Sequence, residues 1–237
     1  MQKRDQRPYN VAYYAAHREQ ELERVRSRQR EAVEFLRGVR RVPCTDCGGE
    51  FPPYVMDFDH KGDAGKDFWI LQRAGAVSRE RLMNEIAKAD VVCANCHRAR
   101  THARALERRR LRIEEGRQPT TESRLRREQT ALLQELRDVP CTDCRQRFPF
   151  FAMEFDHRDP TAKAFEVTRM LGRLTTAELL LEANKCDIVC ANCHRKRTYD
   201  YRLAARGCVV VEASDPSKVE VRVRFPPPAP SYEPSVT

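Results

Sequence analysis

Eight of the ten cysteines stand in C-x2-C pairs: Cys44/Cys47, Cys93/Cys96, Cys141/Cys144 and Cys190/Cys193. Thiolates are soft ligands, and two such turns brought face to face make a tetrahedral zinc site. The spacing predicts two structural zinc ions. One is held by Cys44, Cys47, Cys93 and Cys96, the other by Cys141, Cys144, Cys190 and Cys193. Cys186 and Cys208 are left over, and Ala89 stands where a counterpart of Cys186 would be. A second set of residues carries titratable chemistry. Asp59-His60 and Asp156-His157 form Asp-His pairs, and His97 and His194 directly follow the last cysteine of each set. A strand-end carboxylate and a histidine in the first turn of a helix can converge on a divalent ion. The neighbouring imidazole, His60 or His157, can then take a proton from water attacking a phosphodiester. The ion would polarise the phosphate and stabilise the leaving oxygen. The plainer alternative is that Asp and His only tie a hairpin together by hydrogen bonds.

All of these residues recur at an offset of 97. Val42–Thr101 aligns with Val139–Thr198 without a gap, with 28 identities in the 60 positions, retaining VPCTDC, FDH and CANCHR. The chain is a tandem duplication, so each copy must work as a small structural unit. A body of about 60 residues buries little apolar surface, which makes a structural metal a physical need.

The elements that must position these groups follow from periodicity. Leu22, Val25, Ala32 and Leu36 recur at helical spacing, as do Leu125, Leu132, Leu133 and Leu136. Each copy therefore begins with a helix, which Pro43 or Pro140 is expected to stop. PxCTDC reads as a tight turn. YVMDFDH and FAMEFDH alternate as short strands, and helices are expected near Ser78–Lys88 and Thr175–Lys185, where Thr175 and Glu178 have capping-box spacing. DVVC and DIVC are β-branched runs, and the segments after CANC have no helix breaker. The expected fold class is α+β: two tandem, zinc-stapled units that run strand, strand, helix around a metal site, each preceded by a long basic helix. The expected divisions are a leader at 1–41, a first unit at 42–115, a linker and second leader at 116–138, a second unit at 139–207 and a tail at 208–237. GRQPTT (Gly116–Thr121) marks the break between units.

At these residues both copies resemble the HNH endonuclease family, over about Pro43–Thr101 and Pro140–Thr198. The resemblance implies a ββα-metal fold stapled by four cysteines. It implies that His60 and His157 are general bases, and that Asp59 with His97 and Asp156 with His194 hold a catalytic Mg²⁺, Mn²⁺ or Zn²⁺. The Arg-rich leader resembles that of phage and bacterial members. The family's loop-ordering asparagine has no counterpart in register. Its neighbourhood holds Ala89-Asp90 and Cys186-Asp187, while Asn95 and Asn192 are shared but displaced into CANCH.

Charge bears on the partner. The chain of 237 residues carries 44 Lys plus Arg against 35 Asp plus Glu, net +9. Residues 1–41 and 98–138 are each +5, whereas 42–97 is −3 and 139–194 is −1. Basic helices flanking acidic bodies suit contacts to nucleic-acid phosphates. The contrary reading is a solvated helix face with internal Glu–Arg pairs. Arg98, Arg100, Arg195, Lys196 and Arg197 follow the metal histidines, and Arg108, Arg109 and Arg110 extend the first of these helices. They are expected to grip phosphates without reading sequence. Mean hydropathy is −0.72, and no apolar run spans a bilayer. No secretory signal is expected, and the expected location is the cytoplasm of a bacterial or phage-infected cell. The expected function is metal-dependent cleavage of double-stranded DNA, with no membrane and no small-molecule substrate. The rival is a non-catalytic zinc protein that binds nucleic acid, and phosphate chemistry alone leaves RNA open as substrate. The tail's VVVEASDPSKVEVRVRF alternates as a hairpin would, and PPPAPSYEPSVT is expected to be disordered.

Overall fold

The computed structural model describes residues 7–62, 65–117 and 123–205. The tail from residue 206, and with it Cys208 and the expected hairpin, lies outside the described residues. In chain order the helices and strands are α1 (Arg7–Val39), β1 (Met56–His60), α2 (Ile70–Arg73), α3 (Arg79–Ala87), β2 (Ala89–Cys93), α4 (Ala94–Glu114), α5 (Arg124–Glu135), β3 (Met153–His157), α6 (Thr176–Ala183), β4 (Cys186–Cys190) and α7 (Ala191–Ala205). The class is α+β. The chain divides into two compact units at Cys93/Ala94. Helix α4 closes the first sequence repeat yet belongs to the second unit.

In the first unit β1 and β2 pair antiparallel, from Met56 opposite Cys93 to His60 opposite Ala89. Leu36, Ile70 and Leu82 form the buried core, with Phe35, Phe58 and Phe68 against it. Leu36 is the one member of the α1 apolar stripe that this core takes up. Leu22 and Val25 are 43% and 39% exposed, so most of the helix runs clear of the core. In the second unit β3 and β4 repeat the register, from Met153 opposite Cys190 to His157 opposite Cys186. Leu133, Val167 and Leu179 are buried there, each at the 97-residue offset from its counterpart in the first unit. Ser78 caps α3 through the Arg81 N–H, and Thr175 and Glu178 form the expected capping box on α6.

The leader helices do not end where proline would end them. Helix α1 stops at Val39 and α5 at Glu135, well short of Pro43 and Pro140. An arginine holds the end of each. Arg40 donates from Nε to the Leu36 carbonyl (3.2 Å) and from Nη1 to the Met56 carbonyl on β1 (3.1 Å). Arg137 makes the same pair of bonds to Leu133 (2.9 Å) and Met153 (3.4 Å). The Leu36 carbonyl also accepts the Arg40 backbone N–H (3.2 Å), and a guanidinium at a helix C-terminus adds a second donor to the last turn's carbonyls and meets the negative end of the dipole. The same side chain ties the leader to the first strand of its copy.

The turn after the first C-x2-C needs a left-handed residue. The Gly48 N–H donates to the Cys44 carbonyl and the Arg145 N–H to the Cys141 carbonyl, both at 2.9 Å. Gly48 sits at φ 67° and Arg145 at φ 60°. A Cβ in that region costs roughly 1–2 kcal/mol, partly offset because glycine is freer when unfolded. Arg145→Gly is therefore expected to stabilise the chain by about 1 kcal/mol, read as a rise in the urea midpoint of the zinc-loaded protein. Gly48→Arg should lower it. A lower midpoint for Arg145→Gly would show that the arginine side chain outweighs its backbone strain.

Candidate metal centres

The two C-x2-C turns of each copy meet. The thiols of Cys44, Cys47, Cys93 and Cys96 all lie within 4.8 Å of one another, as do those of Cys141, Cys144, Cys190 and Cys193. Strand pairing positions them. Thr45 N–H bonds the Val91 carbonyl (3.0 Å) and Thr142 N–H the Ile188 carbonyl (2.9 Å), which docks each N-terminal turn on the strand that ends in the second pair. The Cys93 N–H donates to Cys44 Sγ and the Cys190 N–H to Cys141 Sγ, both at 3.2 Å. Burial pushes the Cys44 thiol up, but backbone N–H donors from Cys47, Cys93 and Asp46 outweigh it and bring it down to about 7. Cys141 is likewise at about 7, through Cys190, Cys144 and Asp143. In the same cluster burial and the adjoining thiols push Cys193 up. Four clustered thiols cannot all ionise unaided, and a dication removes that conflict. The donor set, spacing and N–H···S bonds fit structural zinc at both sites. Cys186 stands apart, buried in the apolar core, where burial pushes it up to about 12. It is an inert core thiol.

A second centre lies beside the four-cysteine cluster of the second unit. His194, in the first turn of α7, faces two carboxylates of β3. Its Nδ1 contacts Glu154, and its Nε2 lies 3.2 Å from Asp156 Oδ1. Glu154 and Asp156 are two apart on one strand, so they share a face. Asp156 and Glu154 hold the His194 imidazole up, to about 9. Burial pushes both carboxyls up, and His194 outweighs it to hold them low. A cation between two carboxylates thus sits where a dication would find one carboxylate, one imidazole nitrogen and an orienting carboxylate on the ring's other nitrogen. That arrangement is common in metal sites. Asp57 and Asp59 occupy the corresponding places on β1, 6% and 5% exposed, and His97 lies in the first turn of α4.

His60 and His157 go elsewhere. Adjacent strand residues point to opposite faces, and these rings meet α3 and α6. His60 Nε2 lies 2.8 Å from Glu85 Oε1, and His157 Nε2 lies 2.8 Å from Glu182 Oε1. The same Glu85 oxygen accepts the N–H groups of Asp67 (3.0 Å) and Phe68 (3.4 Å), and that of Glu182 accepts Ala164 (2.7 Å) and Phe165 (3.4 Å). These two buried glutamates order the loop after the first strand. Their signal was in the sequence: Glu85 and Glu182 are identical across the repeat and lie on the apolar face of their helices. Burial pushes Glu182 up, but the Lys185 ammonium, the loop N–H groups and His157 overcome it and bring it down to about 2. Glu85 is at about 2 through Lys88, Phe68, His60 and Asp67.

A folded carboxyl held below its ordinary 4.5 contributes stability above pH 4.5, and the contribution is lost as pH falls toward 2. Glu182→Gln is expected to cost about 2 kcal/mol, the scale of hydrogen bonds to a charged group. The gap from wild type should stay constant from about pH 8 to about pH 5 and narrow below about 4.5. Denaturant titrations across that range measure it. A gap that closes near neutrality would assign the effect to the histidine instead.

Several of the arginines expected to grip phosphates pair with carboxylates. Arg197 is committed to carboxylates: Asp143, Asp156 (3.1 Å) and Asp187 (2.9 Å). Register explains this, because Asp156 lies opposite Asp187, and like charges across a strand pair need a counterion. Arg98 pairs with Glu154, and Arg110 with Glu107 and Glu114. Arg100 and Arg195 are half-buried, whereas Arg108, Arg109 and Lys196 are exposed. No helix among the described residues is long and apolar enough to cross a membrane. Comparison with protein-family models, curated proteins and solved structures returns no match.

Proposed function

We propose that the chain is a metal-dependent DNA endonuclease with two HNH-like units. The observation that carries this reading is the convergence of Asp156 and His194 Nε2 beside a zinc cluster, with Glu154 orienting the ring. Asp156 and His194 would hold a Mg²⁺, Mn²⁺ or Zn²⁺ ion, and by the repeat so would Asp59 and His97. Bound there, the ion supplies charge to polarise the phosphate and stabilise the leaving oxygen. Glu182 is ionised and can only accept, so the proton shared with His157 sits on Nε2. Nδ1 of the neutral ring is then the basic nitrogen that takes the proton of the attacking water. Glu85 fixes the tautomer of His60 in the same way. Arg108, Arg109 and Lys196 would neutralise phosphates, with affinity that falls as salt rises.

The second reading is a zinc protein that binds nucleic acid without cutting it. The burial of the His157 side chain, 6% exposed against Glu182, favours it. Supercoiled plasmid incubated with the zinc-loaded protein and added Mg²⁺, Mn²⁺ or Zn²⁺ separates the two. Relaxed or linear product that depends on the ion, and is lost in Asp59→Asn/Asp156→Asn, supports the nuclease. Retention of DNA with no product under any ion supports the binding protein. Neither retention nor product removes both.

A further inference from the structure

The second centre is built partly from the first copy's helix. Helices α4 and α7 meet at their N-termini inside the second unit. The Asn95 N–H donates to Asn192 Oδ1 (2.9 Å), and the Asn192 N–H donates to Asn95 Oδ1 (3.1 Å). Each asparagine thus satisfies a donor that its neighbour's helix leaves without a helical partner. Asn95 also hydrogen-bonds the Cys190 thiol. Farther along α4, His102 stacks on Phe151 at 4.4 Å between ring centroids, 17° from parallel. Phe151 belongs to the short 3-10 turn that leads into β3. These contacts fix α4 against the strand that carries Glu154 and Asp156.

Arg98 lies one turn from that junction and contacts Glu154, whose other oxygen contacts His194 Nδ1. The carboxylate therefore has one oxygen for each partner. Without Arg98 the carboxylate keeps only its contact to His194, and the ring's plane is less firmly set. We infer that Arg98, contributed by the first copy, is a positioning residue for the Asp156–His194 centre of the second. The centre is a composite of the two copies, and the tandem arrangement is a requirement of the site as well as a doubling of it. This rests on the metal-site reading above only for what the centre binds. The chain Arg98–Glu154–His194–Asp156 stands on its geometry.

The test uses the full zinc-loaded chain, with zinc content and far-UV circular dichroism as folding controls. Two readouts are taken on wild type, Arg98→Ala and Arg98→Lys. The first is the imidazole N–H resonance of His194 in ¹⁵N-histidine-labelled protein with no further ion added, assigned by its absence in His194→Ala. Wild type should show a slowly exchanging N–H at Nδ1. Arg98→Ala should lose or broaden it, and Arg98→Lys should recover it in part. The second is Mn²⁺ affinity by electron paramagnetic resonance in the Asp59→Asn background, which leaves the second site. Arg98→Ala should weaken it about 10-fold, the low end for partners that orient a ligand. A wild-type-like N–H signal in Arg98→Ala overturns the inference, whatever the Mn²⁺ result. If wild type takes up no Mn²⁺ while the N–H signal responds to Arg98, the positioning role stands and the catalytic-ion reading falls. If the signal responds but Mn²⁺ affinity does not, the ring's orientation does not govern the site, and the inference is overturned.

Discussion

Cys190→Ser is expected to release one of two zinc equivalents and to unfold the second copy while the first retains its metal. The magnitudes decide this. Structural zinc in a small four-ligand site has an apparent binding free energy of about 10–16 kcal/mol, comparable to the whole stability of a domain, about 5–15 kcal/mol. The second unit's buried clusters are small, and one of them consists of Cys141, Cys190, Met153 and Val189, so the ligands are themselves half of that core. Removing one thiolate leaves three, and the N–H of residue 190 still points at Cys141. Zinc is counted with a chromophoric chelator, and amide hydrogen exchange reports which residues lose protection. The expected pattern is loss across β3, β4 and α6, with β1, β2 and α3 still protected. Retention of both zinc ions would remove Cys190 from the ligand set. Loss of one ion with unchanged exchange would show that the metal is not structural. Disulfides within either four-cysteine set, in protein purified without oxidant, would exclude thiolate coordination altogether.

The second large effect concerns the histidines next to the strand-end aspartates. On the nuclease reading proposed above, one site would hold one ion and one base and so would break one strand. A covalent tandem gives the second site a high effective concentration near the first. His60→Ala is expected to leave a nicking enzyme that works through His157, and His157→Ala one that works through His60. The double variant should bind DNA and lose about 10²–10⁴-fold in cleavage, the usual worth of general-base catalysis. Plasmid relaxation against linearisation separates the cases on one gel. If one single variant abolishes all nicking and the other changes nothing, one copy only positions DNA. Wild-type cutting by the double variant removes both histidines from the reaction. Glu182→Gln adds a check, since it disturbs the His157 tautomer while leaving the ring in place. It should slow the strand cut assigned to the second copy and leave the other.

Much of the architecture was legible because the chain states it twice. A spacing that recurs at 97 residues for cysteines, histidines and core leucines is hard to meet except by two copies of one fold. Soft ligands in paired turns then name the metal class, since thiolate spacing is local and bound to backbone geometry. Strand and helix positions followed from alternation and capping chemistry, which are also local.

What stayed hidden depends on groups that meet across sequence distance. Proline was the visible helix stop, but Arg40 and Arg137 end the leaders earlier, by bonds to a strand 16 residues on. Glu85 and Glu182 looked like ordinary helix residues until the fold buried them against a histidine and two loop amides. Arg197 looked like a phosphate ligand, yet strand register placed two aspartates opposite each other and made it their counterion. Asn95 and Asn192 were visible as shared residues, but their reciprocal bonds exist only because two helix N-termini meet. The sequence by itself determined the duplication, the thiolate sets and the order of elements, because each follows from spacing along the chain. The tertiary structure decided which charges face each other and which copy supplies them, because electrostatic partners are chosen by distance in space.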